Sequence, residues 1–412
     1  MDRSSLLISE KAFEEAGIEE AEEKPVWVQM WRVRHHSPLI FYTVVFLLLL
    51  HFIAAAVMPL FVPDGMYLSL YLGREAREST RMFLDGKHPF LIYDPLLGWR
   101  NRPDVRRGKW WIDEEGARTT HPVGAASSGR RRVLFLGNSL INGGTNVSNE
   151  ETISAYIEDA ATESINFATM LYALDQVYLD YKERLGGYQA DVVVVGLPGD
   201  PTAGLLNQYL PFRVRSESKM PFFKPRFEIS RGRLSILPAP RLKAYEELFD
   251  HSEVLETLIR TDAYYPEFSR YKRFGLMPGS EMAYSLYKRI RSDVRFIERA
   301  SEGGPEGRTL LKKLIDQVGR EARRRHAAVI FIALPDLKSV APGIWERWLP
   351  DLYGEKVNRL KAEGCPLLDV RPFLRESGLP PERLFDPDGS HYSSAGNRII
   401  AAALKRAIEH LS

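Results

Sequence analysis

The residues best suited to chemistry are a serine in the first half of the chain and an acid–histidine pair near its end. Ser139 follows the apolar run Val133–Leu136 after a short Gly-Asn turn, and Asp388 and His391 stand three positions apart. A serine hydroxyl attacks a carbonyl at neutral pH only with a neighbouring base, and the base needs a third group that fixes its tautomer. The sequence therefore predicts one hydrolytic or acyl-transfer site built from both stretches.

Strand-like and helix-like segments alternate from about residue 130 to the end of the chain. The strand candidates are Val133–Leu136, Ile165–Phe167, Asp191–Gly196, Val329–Leu334 and Leu367–Val370. Amphipathic helical segments separate them, and this alternation predicts a parallel sheet covered on both faces. Functional groups gather at the carboxyl ends of the strands of such sheets. The serine and the histidine are therefore expected at one shared edge.

Two motifs in this frame resemble those of the SGNH, or GDSL-like, hydrolase superfamily. The tripeptide 137–139, Gly-Asn-Ser, together with Gly143 resembles its first block, G-D-S-x-x-x-G, with asparagine in place of aspartate. The segment Asp388–His391 resembles its last block, D-x-x-H, and a C-terminal helix is expected to follow it. The resemblance covers roughly residues 130–200 and 325–411. It implies a flavodoxin-like three-layer α/β sandwich with a parallel sheet in strand order 2-1-3-4-5.

The resemblance also implies the role of each residue in the site. Ser139 would be the nucleophile, His391 the general base and then acid, and Asp388 the group that orients the imidazole. Asp386 is the alternative acid, but the three-residue spacing of the motif favours Asp388.

The oxyanion-binding positions of the family are matched only in part. The family places a glycine after the second strand and an asparagine after the third, where this chain has Ala168 and Gly199. Alanine keeps a backbone N–H, whereas glycine offers no side-chain amide, and loss of one oxyanion donor typically costs ~10²–10³ in rate. The candidate donors are Ser139, Ala168, Gly199 and Asn142, with Asn138 and Asn166 as further amides.

An apolar segment near the N-terminus predicts a membrane anchor. Residues 37–63 contain no Asp, Glu, Lys or Arg, and about 20 apolar residues suffice to cross a bilayer. The alternatives are a cleaved signal peptide and a buried core helix. Arg32 and Arg34 favour a cytoplasmic tail, residues 1–36, and an extracytoplasmic main domain, which would be periplasmic in a Gram-negative cell.

The rest of the chain divides into a collar and a main domain. Residues 64–129 predict a juxtamembrane helix, at about 66–85, and a turn-rich, aromatic collar that covers one edge of the sheet. Within the domain 130–412, an insertion at about 203–305 predicts a cap over the site, with a β-hairpin that turns at an Arg-Gly pair. Its aromatic and basic residues suit a sugar polymer or an anionic head group, or are ordinary surface.

Composition excludes several classes of function. The chain carries 56 Lys+Arg and 54 Asp+Glu, so overall charge does not favour nucleic acid as a partner. Its single cysteine, Cys365, excludes an internal disulfide framework. No His/Cys/Asp cluster has metal-ligand spacing and no phosphate-binding glycine loop is present, so neither a metal nor a cofactor is expected.

These observations predict a membrane-anchored serine esterase or O-acyltransferase. Its substrates would be acyl esters of cell-envelope polysaccharide, and a multi-span membrane acyltransferase would be the partner of a transferase. The alternative is a catalytically weak or inactive protein of the same fold, which binds glycan or serves in envelope polysaccharide assembly. The unmatched asparagine motivates that alternative.

Overall fold

The computed structural model describes most of the main domain and a small part of the N-terminal region. The described residues are 41–47, 49–50, 74–124, 129–199, 201–210, 222–248, 251–265, 304–343, 350–387 and 389–411. The chain forms two compact units, residues 1–61 and 62–412.

Only part of the predicted anchor, residues 37–63, is described. Residues 41–47 and 49–50 are helical. Within the described ranges, no helix combines the length and the apolar character that crossing a bilayer requires. The anchor therefore stays a prediction.

Eleven strands and thirteen α-helices are present in the described residues from 74 onward. The strands are β1 (Leu91–Asp94), β2 (Gly98–Asn101), β3 (Val105–Arg107), β4 (Trp110–Ile112), β5 (Arg131–Leu136), β6 (Thr162–Asn166), β7 (Val192–Pro198), β8 (Arg226–Ser230), β9 (Arg233–Leu237), β10 (Ala328–Leu334) and β11 (Leu367–Asp369). The helices are α1 (Arg74–Leu84), α2 (Ser139–Asn142), α3 (Ile153–Ile157), α4 (Leu174–Glu183), α5 (Pro201–Leu206), α6 (Leu242–Glu247), α7 (Ser252–Ile259), α8 (Gly304–Arg324), α9 (Leu337–Val340), α10 (Leu352–Ala362), α11 (Arg371–Glu376), α12 (Pro381–Leu384) and α13 (Ser394–Glu409).

A five-stranded parallel sheet forms the centre of the main domain. Its strands lie in the order β11-β10-β7-β5-β6, and each adjacent pair is parallel. Counted along the chain, this is the order 2-1-3-4-5, so the predicted α/β sandwich and its strand order are confirmed. Four consecutive valines in β7 are fully buried, as expected for a strand covered on both faces.

Helices pack on both faces of the sheet and make three layers. Because successive side chains of a strand point to opposite faces, Leu134 and Val195 belong to the core under α4 and α8. Phe135 and Val194 belong to the core under α3 and α13. This alternation within β5 and β7 divides the apolar residues between two cores.

Residues of the segment 64–129, the collar, pack beside edge strand β6. The backbone N–H of Arg118 donates to the carbonyl of Asn166 at 2.8 Å, at the end of β6. The side chain of Asn101 donates to the carbonyl of Ala168 at 3.1 Å. Helix α1 spans Arg74–Leu84, inside the range of about 66–85 in which the sequence predicts a helix.

The insertion contains the predicted hairpin, in which β8 and β9 pair as antiparallel strands around Arg231 and Gly232. The hairpin packs on the helical layer. The rings of Tyr178 and Phe227 are 5.8 Å apart, and the Lys313 ammonium donates to the carbonyl of Gly232 at 3.0 Å. This part of the insertion therefore covers helices α4 and α8. Residues 266–303 lie outside the described residues, so a cap formed by them stays a prediction.

A buried ion pair joins the insertion to the domain core. The ammonium of Lys224 contacts the carboxylate of Asp175, which lies on α4, and both side chains are at most 1% exposed. Burial raises the pKa of the Asp175 carboxyl, while the neighbouring ammonium opposes that rise. The pair therefore depends on both partners being present.

Replacing Lys224 by methionine should destabilise the protein by ~3–5 kcal/mol at neutral pH, because it leaves a buried carboxylate without its partner. The pKa of Asp175 should rise further, so the folded state binds a proton more readily than the unfolded state. The free energy of unfolding lost at neutral pH should then be regained as the pH falls toward about 4, the pKa of an ordinary Asp carboxyl. Thermal unfolding from pH 8 to pH 4.5 checks this prediction.

Lys243→Met is the matched control, because the Lys243 side chain is 84% exposed. It should leave the unfolding temperature within about a degree of wild type, since exposed pairs contribute ~0–1 kcal/mol. Equal melting of both variants at every pH would contradict the prediction.

Candidate active site

Ser139 lies where the sequence predicts it, at the carboxyl edge of the central strand. It is the first residue of α2, a four-residue helix directly after β5. The side-chain oxygen of Asn138 caps this helix by accepting from the N–H of Leu140 at 3.0 Å. The helix ends at Gly143, whose φ of 96° is left-handed and whose N–H donates to the carbonyl of Ser139. Caps at both ends thus fix the serine on a single turn of helix.

His391 packs on the loop that leaves this helix. A Cβ atom built on Gly144 would be 3.0 Å from Cδ2 and 3.1 Å from Cγ of the imidazole. Gly144 has a φ of 61°, in the left-handed region that favours glycine. The two stretches singled out in the sequence therefore meet in space.

No hydrogen bond joins the Ser139 hydroxyl to the His391 ring within the ranges that the structure describes. Catalytic hydrogen bonds are often long or poorly aligned without substrate and tighten when it binds. The His391 side chain is 23% exposed, so solvent reaches it.

Among the described residues, Asp386 is the acid beside the imidazole; Asp388, which the motif favours, lies outside them. Oδ2 of Asp386 is 3.5 Å from Nδ1 of His391. The Ser390 hydroxyl is closer, at 2.7 Å from the same nitrogen. The assignment of Asp388 therefore stays a prediction, and the described residues place Asp386 at the ring.

Two hydrogen bonds tie the C-terminal segment to the region after the serine. The amide of Asn146 donates to Oδ2 of Asp386 at 2.6 Å. The amide of Asn397, on α13, donates to the carbonyl of Glu151 at 2.9 Å. They hold the histidine loop in place although these partners are about 240 residues apart in sequence.

Arg118 is a site residue that sequence reasoning missed. It is fully buried, and Nη1 donates to the carbonyl of Asn142 at 2.9 Å and to the carbonyl of Gly144. Nη2 donates to the carbonyl of Val147 at 2.6 Å, and Nε donates to the side chain of Asn149 at 3.1 Å. Burial lowers the pKa of Arg118. An arginine in a turn-rich collar carries no sequence signal for this role.

Two of the candidate oxyanion donors already donate hydrogen bonds to acceptors inside the protein. The N–H of Ala168 donates to the side-chain oxygen of Asn166 at 3.0 Å. The amide of Asn142 donates to the carbonyl of Ala168 at 2.8 Å. All three residues are fully buried. These donors would have to leave their present acceptors to reach a substrate.

The remaining candidates differ in position. Gly199 has its carbonyl held by the ammonium of Lys356 at 2.9 Å. Ser139 and Asn138 line a cavity, whereas Gly199 does not. The backbone N–H of Ser139 has no acceptor among the described residues. It is therefore the candidate donor best placed for an oxyanion.

The cavity beside Ser139 has a volume of about 190 Å³ and an apolar wall. The wall is formed by Leu171, Tyr172, Ala173, Leu174, Val177, Leu197, Pro198 and Pro201. Leu171 has a φ of 66°, which is uncommon for a residue with a side chain. An apolar substituent next to the hydroxyl fits this wall.

Across the described residues, no group of three or more His, Cys, Asp or Glu side chains could hold a metal ion.

No family model matches the sequence, and no curated protein is significantly similar to it. Several solved structures are similar. They include LAE5, an alpha/beta hydrolase enzyme from the metagenome of Lake Arreo, with 12% identity, a TM-score of 0.36 and coverage of 70% of this chain and 99% of that chain. A catalytic mutant of Axe2, an acetylxylan esterase from Geobacillus stearothermophilus, has 13% identity, a TM-score of 0.34 and coverage of 69% and 96%. The lipase/acylhydrolase from Enterococcus faecalis has 12% identity, a TM-score of 0.34 and coverage of 68% and 96%.

These TM-scores are below 0.5. The class of the protein, a flavodoxin-like α/β sandwich with a serine at the carboxyl edge of its central strand, therefore depends on the observed strand order and contacts.

Gly144→Ala should destabilise the protein more than Gly108→Ala does. Both glycines are left-handed, with φ of 61° and 56°, but a Cβ at Gly108 meets nothing within 4 Å. Each variant should lose ~1–2 kcal/mol to backbone strain, and Gly144→Ala should lose a further ~1 kcal/mol or more from displacing the His391 ring. Thermal unfolding of the two variants measures the difference, and equal losses would show that the ring does not depend on this contact.

Proposed function

We propose that this protein is a serine-dependent ester hydrolase, with Ser139 as the nucleophile and His391 as the general base. The supporting observation is the packing of the His391 ring on Gly144, in the loop that leaves the short helix begun by Ser139. Both groups lie at the carboxyl edge of the central strand. In this proposal His391 is the base that a serine needs at neutral pH.

The chemistry follows from the two ring nitrogens. Because the Ser390 hydroxyl engages Nδ1, Nε2 takes the proton as Oγ of Ser139 attacks the ester carbonyl. The N–H of Ser139 donates to the oxyanion of the tetrahedral intermediate. The intermediate releases the alcohol, which receives the proton from Nε2, and leaves an acyl-serine. A water molecule, deprotonated by His391, then releases the carboxylic acid and restores the serine.

The cavity wall suggests which part of the ester binds beside the serine. Apart from Asn138, Ser139 and Tyr172, the side chains that line it are apolar, so an acyl chain rather than a sugar would occupy it. Burial of each methylene contributes ~0.8 kcal/mol. Esters of short aliphatic acids longer than acetate are therefore the favoured substrates.

The finer proposal places this activity at the cell envelope, on acyl esters of polysaccharide. The apolar run 37–63 motivates an anchor with a cytoplasmic tail and an extracytoplasmic main domain. Within the described helical residues 41–47 and 49–50, Phe41 is 63% exposed and Leu47 is 60% exposed, as expected of a lipid-facing segment. If a sugar hydroxyl replaces water as the acceptor, the same acyl-serine performs O-acyl transfer, and a multi-span acyltransferase would be the partner that supplies the acyl group.

A second candidate is a weakly active or inactive glycan-binding protein of the same fold. One observation favours it: the N–H of Ala168 and the amide of Asn142 are already hydrogen-bonded inside the protein. A site with one oxyanion donor instead of two or three would lose ~10²–10³ in rate for each missing donor.

Ser139→Ala should abolish labelling of the full-length, detergent-solubilised protein by a fluorophosphonate probe. Its rate of p-nitrophenyl butyrate hydrolysis should be lower than that of wild type by ~10³–10⁶. The rate of His391→Ala should be lower by a similar factor, because the two residues act as a unit. Ser230→Ala is the control, since Ser230 is exposed at the end of β8. Equal labelling of wild type and Ser139→Ala would refute the proposed nucleophile, and wild type without label or turnover would favour the glycan-binding candidate.

Adding an oligosaccharide acceptor and analysing products by mass spectrometry separates transfer from hydrolysis.

Ala173→Leu should change the acyl-chain preference of the enzyme. Wild type should show a higher kcat/KM for p-nitrophenyl butyrate than for the acetate, because Ala173 and its neighbours leave an apolar cavity. The leucine would narrow that cavity and reverse the preference by ~10-fold or more. Ala402→Leu, at an exposed position on α13, should leave the ratio of the two rates unchanged. An unchanged ratio in Ala173→Leu would place the acyl group elsewhere.

A further inference from the structure

We propose that Asp386, acting through the hydroxyl of Ser390, is the acid that orients His391 and stabilises its protonated form. This inference rests on the proposed function, and it differs from the D-x-x-H motif, which favours Asp388. It makes Asp386 and Ser390 positioning residues for the base.

The three groups form a chain of hydrogen-bond distances. Oγ of Ser390 is 2.7 Å from Nδ1 of His391 and 3.4 Å from Oδ2 of Asp386. The direct distance from Oδ2 to Nδ1 is 3.5 Å. A hydroxyl donates one proton and accepts another, so Ser390 can accept from Nδ1–H and donate to the carboxylate. This places the ring proton on Nδ1 and leaves Nε2 unprotonated as the base.

The carboxylate of Asp386 is built into a buried site. Its side chain is 2% exposed, and Oδ1 accepts from the backbone N–H groups of Ser390 at 2.9 Å and His391 at 3.1 Å. Oδ2 accepts from the amide of Asn146 at 2.6 Å. These donors compensate the cost of burying an ionised carboxylate. Among the described residues, Asp386 is the ion-pair partner of His391.

The shape of the loop explains why an acid five positions before the histidine reaches the ring. Phe385 and Tyr392 form an isolated antiparallel bridge, and the N–H of Asp386 donates to the carbonyl of His391 at 2.9 Å. Gly389, with a φ of 71°, turns the chain between them. Residues 386 and 391 therefore face each other at the closed base of the loop.

The proton balance requires no further reactant. The proton of Ser139 moves to Nε2 during attack, and the positive charge of the imidazolium then lies 3.5 Å from the Asp386 carboxylate. Ser390 keeps its proton and Asp386 stays ionised. When Nε2 returns the proton to the leaving alcohol, the starting state is restored. The charge of the carboxylate therefore stabilises the imidazolium that forms in the transition state, and its position fixes the orientation of the ring.

The test compares Asp386→Asn with Asp388→Asn in the full-length protein. Asp386→Asn should lower kcat for p-nitrophenyl butyrate by ~10²–10⁴ with KM within a few-fold, whereas Asp388→Asn should stay within about three-fold of wild type. The acidic limb of the pH–rate profile should move to lower pH in Asp386→Asn, because the imidazolium loses its anionic neighbour. A merely structural role for Asp386 would not move that limb.

Ser390 provides a second pair of variants that leave the backbone contacts of Asp386 in place. Ser390→Ala should lower kcat by about ten-fold, and Ser390→Thr should restore it because threonine keeps the hydroxyl. A double variant, Asp386→Asn with Ser390→Ala, should lose little more than Asp386→Asn alone, since both act along one chain.

A readout without turnover keeps the inference testable in any case. The His391 ring is followed by NMR titration of protein with labelled histidine, assigned by His391→Ala. The midpoint should move to lower pH in Asp386→Asn and stay in place in Asp388→Asn. If the midpoint moves only in Asp388→Asn, or if only Asp388→Asn loses rate, the role of Asp386 is overturned. Labelling of Ser139 would then still support the proposed function. Failure of Ser139 labelling instead refutes the proposed function and leaves the titration to decide the ring's partner.

Discussion

The buried guanidinium of Arg118 is the contact on which the candidate site depends. It lies in the collar, outside the five-stranded sheet, yet it donates to the carbonyls of Asn142, Gly144 and Val147. One of those carbonyls belongs to the last residue of a four-residue helix and the other two to the loop that follows it, where regular secondary structure leaves them without a partner. A buried polar group without a partner costs ~1–3 kcal/mol, so one planar cation with several donors holds the whole loop. The collar is therefore part of the site and not only a cover for the sheet edge.

The loop that Arg118 holds is also the surface on which the histidine rests. Gly144 lets the imidazole pack directly on the backbone, and Asn146, two residues later, bonds the carboxylate of Asp386. A displacement of this loop would move the support of the ring and the support of its acid together. The serine is fixed by the caps at the two ends of its helix, and Arg118 also bonds the last residue of that helix, Asn142. The two halves of the site therefore share Arg118 as a support.

The electrostatics of the site are uneven. The histidine has a carboxylate, a hydroxyl and a supporting amide on one side, whereas the oxyanion side offers mainly the N–H of Ser139. The N–H of Ala168 and the amide of Asn142 donate to acceptors within the protein near the end of β6. In the proposed reaction, these donors would reach a tetrahedral intermediate only if those hydrogen bonds broke.

The sequence alone determined the α/β class, the position of Ser139 at a strand end and the hairpin at Arg231 and Gly232, because these follow from local periodicity and turn chemistry. The strand order came from a family resemblance carried by two short motifs, and the sheet confirms it. Only the tertiary structure showed the role of Arg118, the occupied amides and the acid beside His391. Such partnerships join groups as far apart as Asn146 and Asp386, separated by 240 residues. They depend on how the closed chain brings donors and acceptors together, and no local pattern in the sequence encodes that meeting.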